Sequence, residues 1–381
     1  MTKKIRLIIL LVCAVCFLVG ALILIPYSMG YRYDFKKNKI TEIGGIYVRS
    51  FPAADKVTVD SRIFGKPKLL SSDVFVQNLI PDEHSVLVEK IGYYDYFKTI
   101  IVEQKEVTKL ENILLIKKNI QFNISTGIAD QSGKPQSPFI SQDKYIIKNN
   151  NLYYSNILEN SKLTALQKST PILKKILAFT IQNNNIIWLN TDGFIYKSDL
   201  TKLSAIPEKI TKTALKIIKT GTYKIISYNK NFFVNNNGSL LFLNQKTNIL
   251  DNFYSPIKGV IFSPDGKNII YYNDNNIYIS LLPTDNITPI EKILLYKSST
   301  KITSCIWLNS SYIIFTTNNK IIISEIDYRG HINLATLPQT IDISVEQKIN
   351  LEKPQIFFSQ HEGKLYILNN KILISSEKIS S

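Results

Sequence analysis

Six times between residue 145 and residue 374, an apolar run, an Asn- or Asp-rich turn and a second apolar run follow one another: YIIKNNNLYY, IIWLNTDGFIY, FFVNNNGSLLF, IIYYNDNNIYI, YIIFTTNNKIII and LYILNNKILI. The turns centre on Asn150, Asp192, Asn237, Asn275, Asn319 and Asn370, separated by 42, 45, 38, 44 and 51 residues. Asn, Asp and Gly tolerate the positive φ angles of tight hairpins, so their enrichment at these points has a mechanical cause. Each copy is therefore expected to be a β-hairpin, and the spacing is that of a four-stranded propeller blade. A solenoid or a second sandwich would also show many short strands. Radial closure is favoured because it shields the sheet edges, giving a β-propeller over residues 138–381 with six blades. Seven is the alternative, since the segment between Asn319 and Asn370 and the run IQFNI at 120–124 could add strands.

A second turn precedes the hairpin in several units, complete as FSPDGK at 262–267 and weaker as SQDK at 141–144 and SQHEGK at 359–364. The complete copy resembles the F-S-P-D-G-K repeat of bacterial envelope propellers, related to those of periplasmic translocation factors and prolyl-peptidase caps. The resemblance implies a propeller of the cell envelope. The Gly-His and Trp-Asp pairs of WD-repeat propellers are absent.

The chain of 381 residues is long enough for more than one core. Its 21 Tyr and 18 Phe beside abundant Ile, with only 15 Gly, suit half-buried pleated surfaces, so the body is expected to be all-β. The formal charge of +16 comes from lysines spread along the chain without an Arg-rich cluster, which reads as a solvated surface and excludes a nucleic-acid partner from the expectation.

Lys3, Lys4 and Arg6 precede a stretch, residues 7–25, without a charged residue and long enough to cross a bilayer as a helix. It exceeds a cleavable signal core and no clean small-x-small site follows, so an uncleaved signal anchor over 7–27 is expected, with residues 1–6 as a cytoplasmic tail. Arg32, Lys36, Lys37 and Lys39 just beyond the span oppose that orientation under the positive-inside rule, leaving a cytoplasmic body as the alternative. Cys13 and Cys16 each follow Val, unlike a lipoprotein site, and lone Cys305 sits beside Ile306 and Trp307 as a small buried hydrophobe.

After a juxtamembrane linker, 28–43, short alternating runs occupy residues 44–118 and indicate a compact antiparallel sandwich. Gly45-Ile46-Tyr47-Val48, Ser50-Phe51-Pro52-Ala53-Ala54, Val57-Thr58-Val59-Asp60, Gly65-Lys66-Pro67, Leu79-Ile80-Pro81 and Val88-Glu89-Lys90-Ile91-Gly92-Tyr93 follow in an order that resembles a PEGA domain. The resemblance implies a small surface-protein module in which the proline turn precedes a strand and the Lys-x-Gly-Tyr corner starts the last hairpin. Pro52-Ala53-Ala54-Asp55 stands where the family carries Pro-Glu-Gly-Ala. Gly92 suits a left-handed corner, and Tyr93, Tyr94 and Tyr96 are read as core and edge cover ahead of a ligand-stacking platform. Residues 119–137 are a linker or a propeller-closing strand, with the Gly-, Ser- and Pro-rich part at 127–138.

No linear motif carries chemistry. Gly238-Ser239 lacks the context of a hydrolase elbow, His84, His331 and His361 lack zinc spacing, the Asn-rich turns lack the ordered carboxylates of a calcium loop, and no phosphate cradle occurs. No catalytic, cofactor or metal residue is assigned, and no cofactor is expected. The expectation is a non-catalytic, single-pass plasma-membrane protein, its bulk outside the cytoplasm, whose propeller binds an envelope protein or polysaccharide. The alternative is a propeller-based hydrolase or lyase with an axial site invisible as a linear motif.

Overall fold

A computed structural model of the chain describes residues 3–64, 73–125, 145–154, 170–203, 205–228, 231–282, 290–343 and 348–379. Gly65-Lys66-Pro67, the expected linker at 127–138 and the SQDK turn at 141–144 lie outside the described residues. The chain forms two compact units, Met1–Ile120 with Asp327–Ala335, and Gln121–Ile326 with Thr336–Ser380. Among the described residues one helix accompanies a body of strands, so the all-β expectation holds.

In the first unit, helix α1 (Lys3–Ser28) exposes Leu, Ile, Val and Phe around its circumference and has no core of its own. It is long and apolar enough to cross a membrane. Gly30, at φ +89°, ends it, with its amide donating to the Tyr27 carbonyl at 3.2 Å. The segment 28–43, expected as a linker, contains the hairpin β1 (Tyr31–Asp34) and β2 (Lys39–Glu42). Asn38, at φ +48°, lies in its turn, and Asp34 Oδ1 accepts from the amides of Lys36 and Lys37.

The sandwich follows as β3 (Gly44–Phe51), β4 (Lys56–Val59), β5 (Arg62–Ile63), β6 (Asp73–Leu79), β7 (Glu83–Glu89), β8 (Tyr96–Ile101) and β9 (Val107–Leu114). One sheet has the order β6-β3-β9 and the other β5-β4-β7-β8. Period-two alternation turns Ile46 and Val48 of β3, Val57 and Val59 of β4, and Val86 and Val88 of β7 into one core. Each fully buried Val or Ile contributes roughly 1.5–3 kcal/mol of transfer free energy. The expectation of a wholly antiparallel sandwich fails at one place: β9 runs parallel to β3, with Ile46 opposite Thr108. The turn after β8 is pinned beside the start of β3, where Gly45 N donates to Glu106 O at 2.9 Å and Lys105 N to Ile43 O at 3.2 Å. Strand β9 therefore leaves from the same end as β3 and must run in the same direction.

The second unit is a succession of antiparallel meanders. The first comprises Tyr145–Lys148, Asn151–Tyr154 and Leu173–Lys174, and the second Ile176–Gln182, Asn185–Asn190, Ile195–Asp199 and Glu208–Lys209. The third is built from Tyr223–Tyr228, Asn231–Asn236, Ser239–Asn244 and Ile249–Tyr254, the fourth from Gly259–Phe262, Asn268–Tyr272, Asn276–Leu281 and Ile293–Lys297. Ile302–Asn309, Tyr312–Thr317 and Lys320–Glu325 form the fifth. The last has Gln355–Ser359, Lys364–Asn369 and Ile372–Lys378, and its fourth strand is Phe122–Ile124 from the opposite end of the unit. A separate hairpin pairs Thr340–Asp342 with Lys348–Asn350.

All six hairpins read from the sequence are present in the described residues. Left-handed angles occur at five of the six turns, at Asn149, Asn150, Gly193, Asn237, Gly238, Asn318 and Asn370; the turn at 273–276 makes its reversal without one, its Asn273 Oδ1 accepting from the amides of Asn275 and Asn276. Consecutive sheets pack face to face. Leu152 of the first meets Ile176 and Trp188 of the second, Leu189 of the second meets Phe232 and Val234 of the third, and Phe233 of the third meets Ile269 and Tyr271 of the fourth. Trp307 Nε1 of the fifth donates to Ile261 O of the fourth at 3.2 Å, and Gln360 Nε2, after the first strand of the last sheet, donates to Leu308 O of the fifth at 3.0 Å.

Candidate interaction surface

Each Asn-rich turn in the second unit is hydrogen-bonded to the segment that enters or leaves its own sheet. Ile176 N donates to Asn150 O, Thr191 N to Lys175 O, Leu215 N to Gly193 O, Asn237 N to Thr222 O and Ile257 N to Gly238 O, all at 2.7–2.9 Å. Ser298 N and Ile302 N donate to the carbonyls of Asn275 and Asp274, both at 2.7 Å. At the fifth turn Asn318 N donates to Lys301 O at 3.3 Å and Asn319 Oδ1 accepts from Lys353 N at 3.2 Å, and at the last Asn369 Oδ1 accepts from Glu352 N at 2.7 Å. The repeated bond collects the turns and the inter-sheet connectors on one face of the unit.

Lysines stand on this face beside the amides. Lys258 Nζ reaches Ile302 O at 2.7 Å and Asp274 Oδ1 at 3.4 Å, while Lys301 Nζ lies 3.1 Å from Asp274 Oδ2. The Lys301 ammonium, followed by that of Lys258, holds the Asp274 carboxyl below its ordinary value. These exposed, solvent-screened pairs add little stability. The amides named above are spent on these internal bonds, so the rim offers its lysine ammoniums, which carry further protons to donate to hydroxyl, carbonyl or anionic oxygens.

The 262–267 turn serves a different purpose. Ser263 Oγ donates to Asp265 Oδ1 at 2.6 Å and accepts from Asn268 N at 2.9 Å, and Gly266 takes φ +69°. A Cβ on Gly266 would stand 1.7 Å from Tyr228 Cε1, so the turn is shaped to receive that ring. In the 359–364 turn Gly363, at φ +67°, donates to Ser359 O at 2.8 Å, and Tyr366 Oη is bonded to Glu362.

The remaining residues weighed from the sequence are dispersed. Cys13 and Cys16 are exposed on α1, and Cys305 is buried with its thiol pushed well up by desolvation. His84 is buried in the sandwich, Nδ1 2.5 Å from Asp60 Oδ2 and Nε2 2.8 Å from Ile80 O. His331 rests 6.1 Å from the Phe97 ring, and His361 is an exposed turn residue. Tyr96 is a core residue and Tyr93 packs on the core, an architectural placement. Gly92 has the left-handed angle, φ +83°. The Pro52–Asp55 turn closes on the Lys90–Tyr93 corner, because Asp55 Oδ2 accepts from Ile91 N at 2.9 Å and Lys90 Nζ donates to Ala53 O at 2.9 Å. Sequence reasoning missed this bond and also the buried Lys98, since neither has a local signal.

Residues 43–116 match the PEGA domain family. No curated protein matches the chain. Among solved structures, Kluyveromyces lactis Hsv2p is similar at 13% identity, covering 61% of this chain and 68% of its own, with a TM-score of 0.39. The β-propeller domain of Myceliophteria thermophila Cps50 (Swd1) is similar at 12% identity over 78% of this chain and 94% of its own, also at 0.39. The extracellular domain of BT4673 from B. thetaiotaomicron is similar at 11% identity over 78% of this chain and 38% of its own, with a TM-score of 0.39. Beyond the PEGA domain, the reading of the second unit rests on its own meanders.

Proposed function

We propose that this chain is a non-catalytic, single-pass membrane protein of a bacterial cell envelope. Helix α1 anchors it, the bulk stands outside the cytoplasm, and the PEGA domain is the spacer nearest the bilayer. The second unit is a six-bladed propeller whose Asn-turn face binds an envelope protein or a polysaccharide. Six meanders that stack in chain order, the last completed by Phe122–Ile124, support that count. The segment offered for a seventh blade contributes a two-stranded hairpin among the described residues. The Ser263–Asp265–Gly266 turn supports kinship with envelope propellers.

The observation that carries the reading is the turn-to-connector bond repeated from sheet to sheet, which ties each Asn turn to an inter-sheet connector. A face lined by lysine ammoniums fits polyhydroxyl or anionic oxygen chemistry. The test uses the full chain in detergent against glycan arrays, purified wall polysaccharide and cross-linked envelope membranes. Binding that is lost in Lys258→Glu/Lys301→Glu and kept in a substitution of exposed Ile206 supports it. A blank result in all three assays overturns it. Protease digestion of spheroplasts separately checks orientation: the bulk is expected to be cut from outside.

A further inference from the structure

The hairpin Tyr31–Glu42 begins two residues after α1 and carries an uncovered apolar face. Tyr33 and Ile40 are directly opposed across the two strands, and the Phe35 ring meets Tyr33 edge-on at 5.0 Å. Their exposures are 47%, 69% and 83%. The other face behaves as ordinary interior, with Asp34 and Thr41 buried.

The hairpin is fixed at both ends. Towards the helix, Ile43 N donates to Gly30 O at 3.0 Å, and the Arg32 guanidinium donates to Tyr27 O at 2.6 Å while lying 3.4 Å over the Tyr27 ring. Towards the sandwich, Lys36 pairs with Asp82 at 3.1 Å, Lys37 Nζ donates to Pro81 O at 2.9 Å, and Lys105 pairs with Glu42 at 2.8 Å. It is held as a shelf at the end of the helix.

We propose that this shelf lies in the headgroup layer of the bilayer, with Tyr33, Phe35 and Ile40 turned into lipid. The inference rests on the reading of α1 as a membrane anchor. Tyr33 lies five positions beyond Ser28, which at full extension is about 17 Å, so Tyr33 cannot leave the neighbourhood of the interface. Aromatic side chains with apolar bodies are the usual residents of that layer. A second copy of the chain is disfavoured as occupant, because three side chains fall far short of the roughly 800 Å² per partner that a stable interface buries.

The experiment places single tryptophans, Phe35→Trp and, as the anchor control, Phe17→Trp, in the full chain in nanodiscs of phosphatidylcholine and phosphatidylglycerol. Lipids brominated near the headgroup or deep in the acyl chain act as quenchers, and the emission of native Trp188 and Trp307 is subtracted using the parent. Expected are a blue-shifted Phe35→Trp emission lost mainly to the shallow bromines and a Phe17→Trp emission lost to the deep ones. Quenching at 17 with a water-like, unquenched probe at 35 overturns the shelf and leaves the anchor standing. No quenching at either position removes the anchor reading and the shelf with it. A blue-shifted probe at 35 that bromines do not quench assigns the face to protein and overturns the proposal.

Discussion

Lys98 Nζ donates to the backbone carbonyl of Asp327 at 2.6 Å, although 229 positions separate the two residues. Lys98 is fully buried in the sandwich, and the Asp327 carboxylate lies 3.8 Å from its ammonium and is also held by Arg329 at 2.7 Å. Asn333 completes the arrangement: its side chain accepts from Phe97 N at 2.9 Å and donates to Phe97 O at 2.8 Å, occupying the edge of β8 as a neighbouring strand would.

A buried ammonium is tolerated only with compensation. Asp327→Ala is expected to destabilise the sandwich strongly, on the order of 3–5 kcal/mol, while Lys98→Met, which removes the charge along with its requirement, costs clearly less. Denaturant unfolding of the two variants, read by hydrogen exchange in residues 44–116, checks the order; equal losses would contradict it.

Acid should act on the same group. Burial works to raise the Asp327 pKa, but Arg329 hydrogen bonds and the Lys98 charge outweigh it, so the folded value is lowered. A carboxyl depressed on folding contributes stability above its unfolded value of about 3.9 and loses it as pH falls through the folded value. Stability of the sandwich is expected to be level near neutrality and to fall below about pH 4. The fall should be shallower in Asp327→Asn, as measured by melting across a pH series.

Two glycines separate strain from collision. At Gly92, φ is +83° with open space around an added Cβ, whereas at Gly266 φ is +69° and the Tyr228 ring blocks the site. Gly92→Ala should cost about 1 kcal/mol from the left-handed angle alone. Gly266→Ala should cost more, and Tyr228→Ala in the same chain should recover part of the difference, a coupling that a double-mutant cycle measures.

Closure of the last sheet depends on one short strand. Ser125 N donates to Leu373 O at 2.9 Å beside the paired residues Phe122–Ile124, so Ser125→Pro removes a ladder donor. The expected outcome is faster proteolysis within residues 348–379 and a lower melting temperature of the second unit, with the PEGA domain unaffected.

Cys305 should resist modification. Its burial raises the thiol pKa, and the thiolate is the reactive form. Alkylation of the folded chain is expected to spare it and to reach it in denaturant, a difference that peptide mass mapping reads.

The local record in the chain was enough for most features set by short-range chemistry, although the hairpin Tyr31–Glu42 stood in a segment expected to be a linker. The charge-free run at 7–25, the alternation that buries Val57, Val59, Val86 and Val88, and the six Asn turns each follow from residues a few positions apart, which is why hairpins and helix could be placed from them. The parallel return of β9 beside β3, the burial of Lys98 against Asp327 and the joining of Phe122–Ile124 to Ile372–Lys378 were decided only by tertiary structure. These pairings bring together residues that are remote in the chain, and periodicity records which face of a strand is buried without naming the strand that will lie against it.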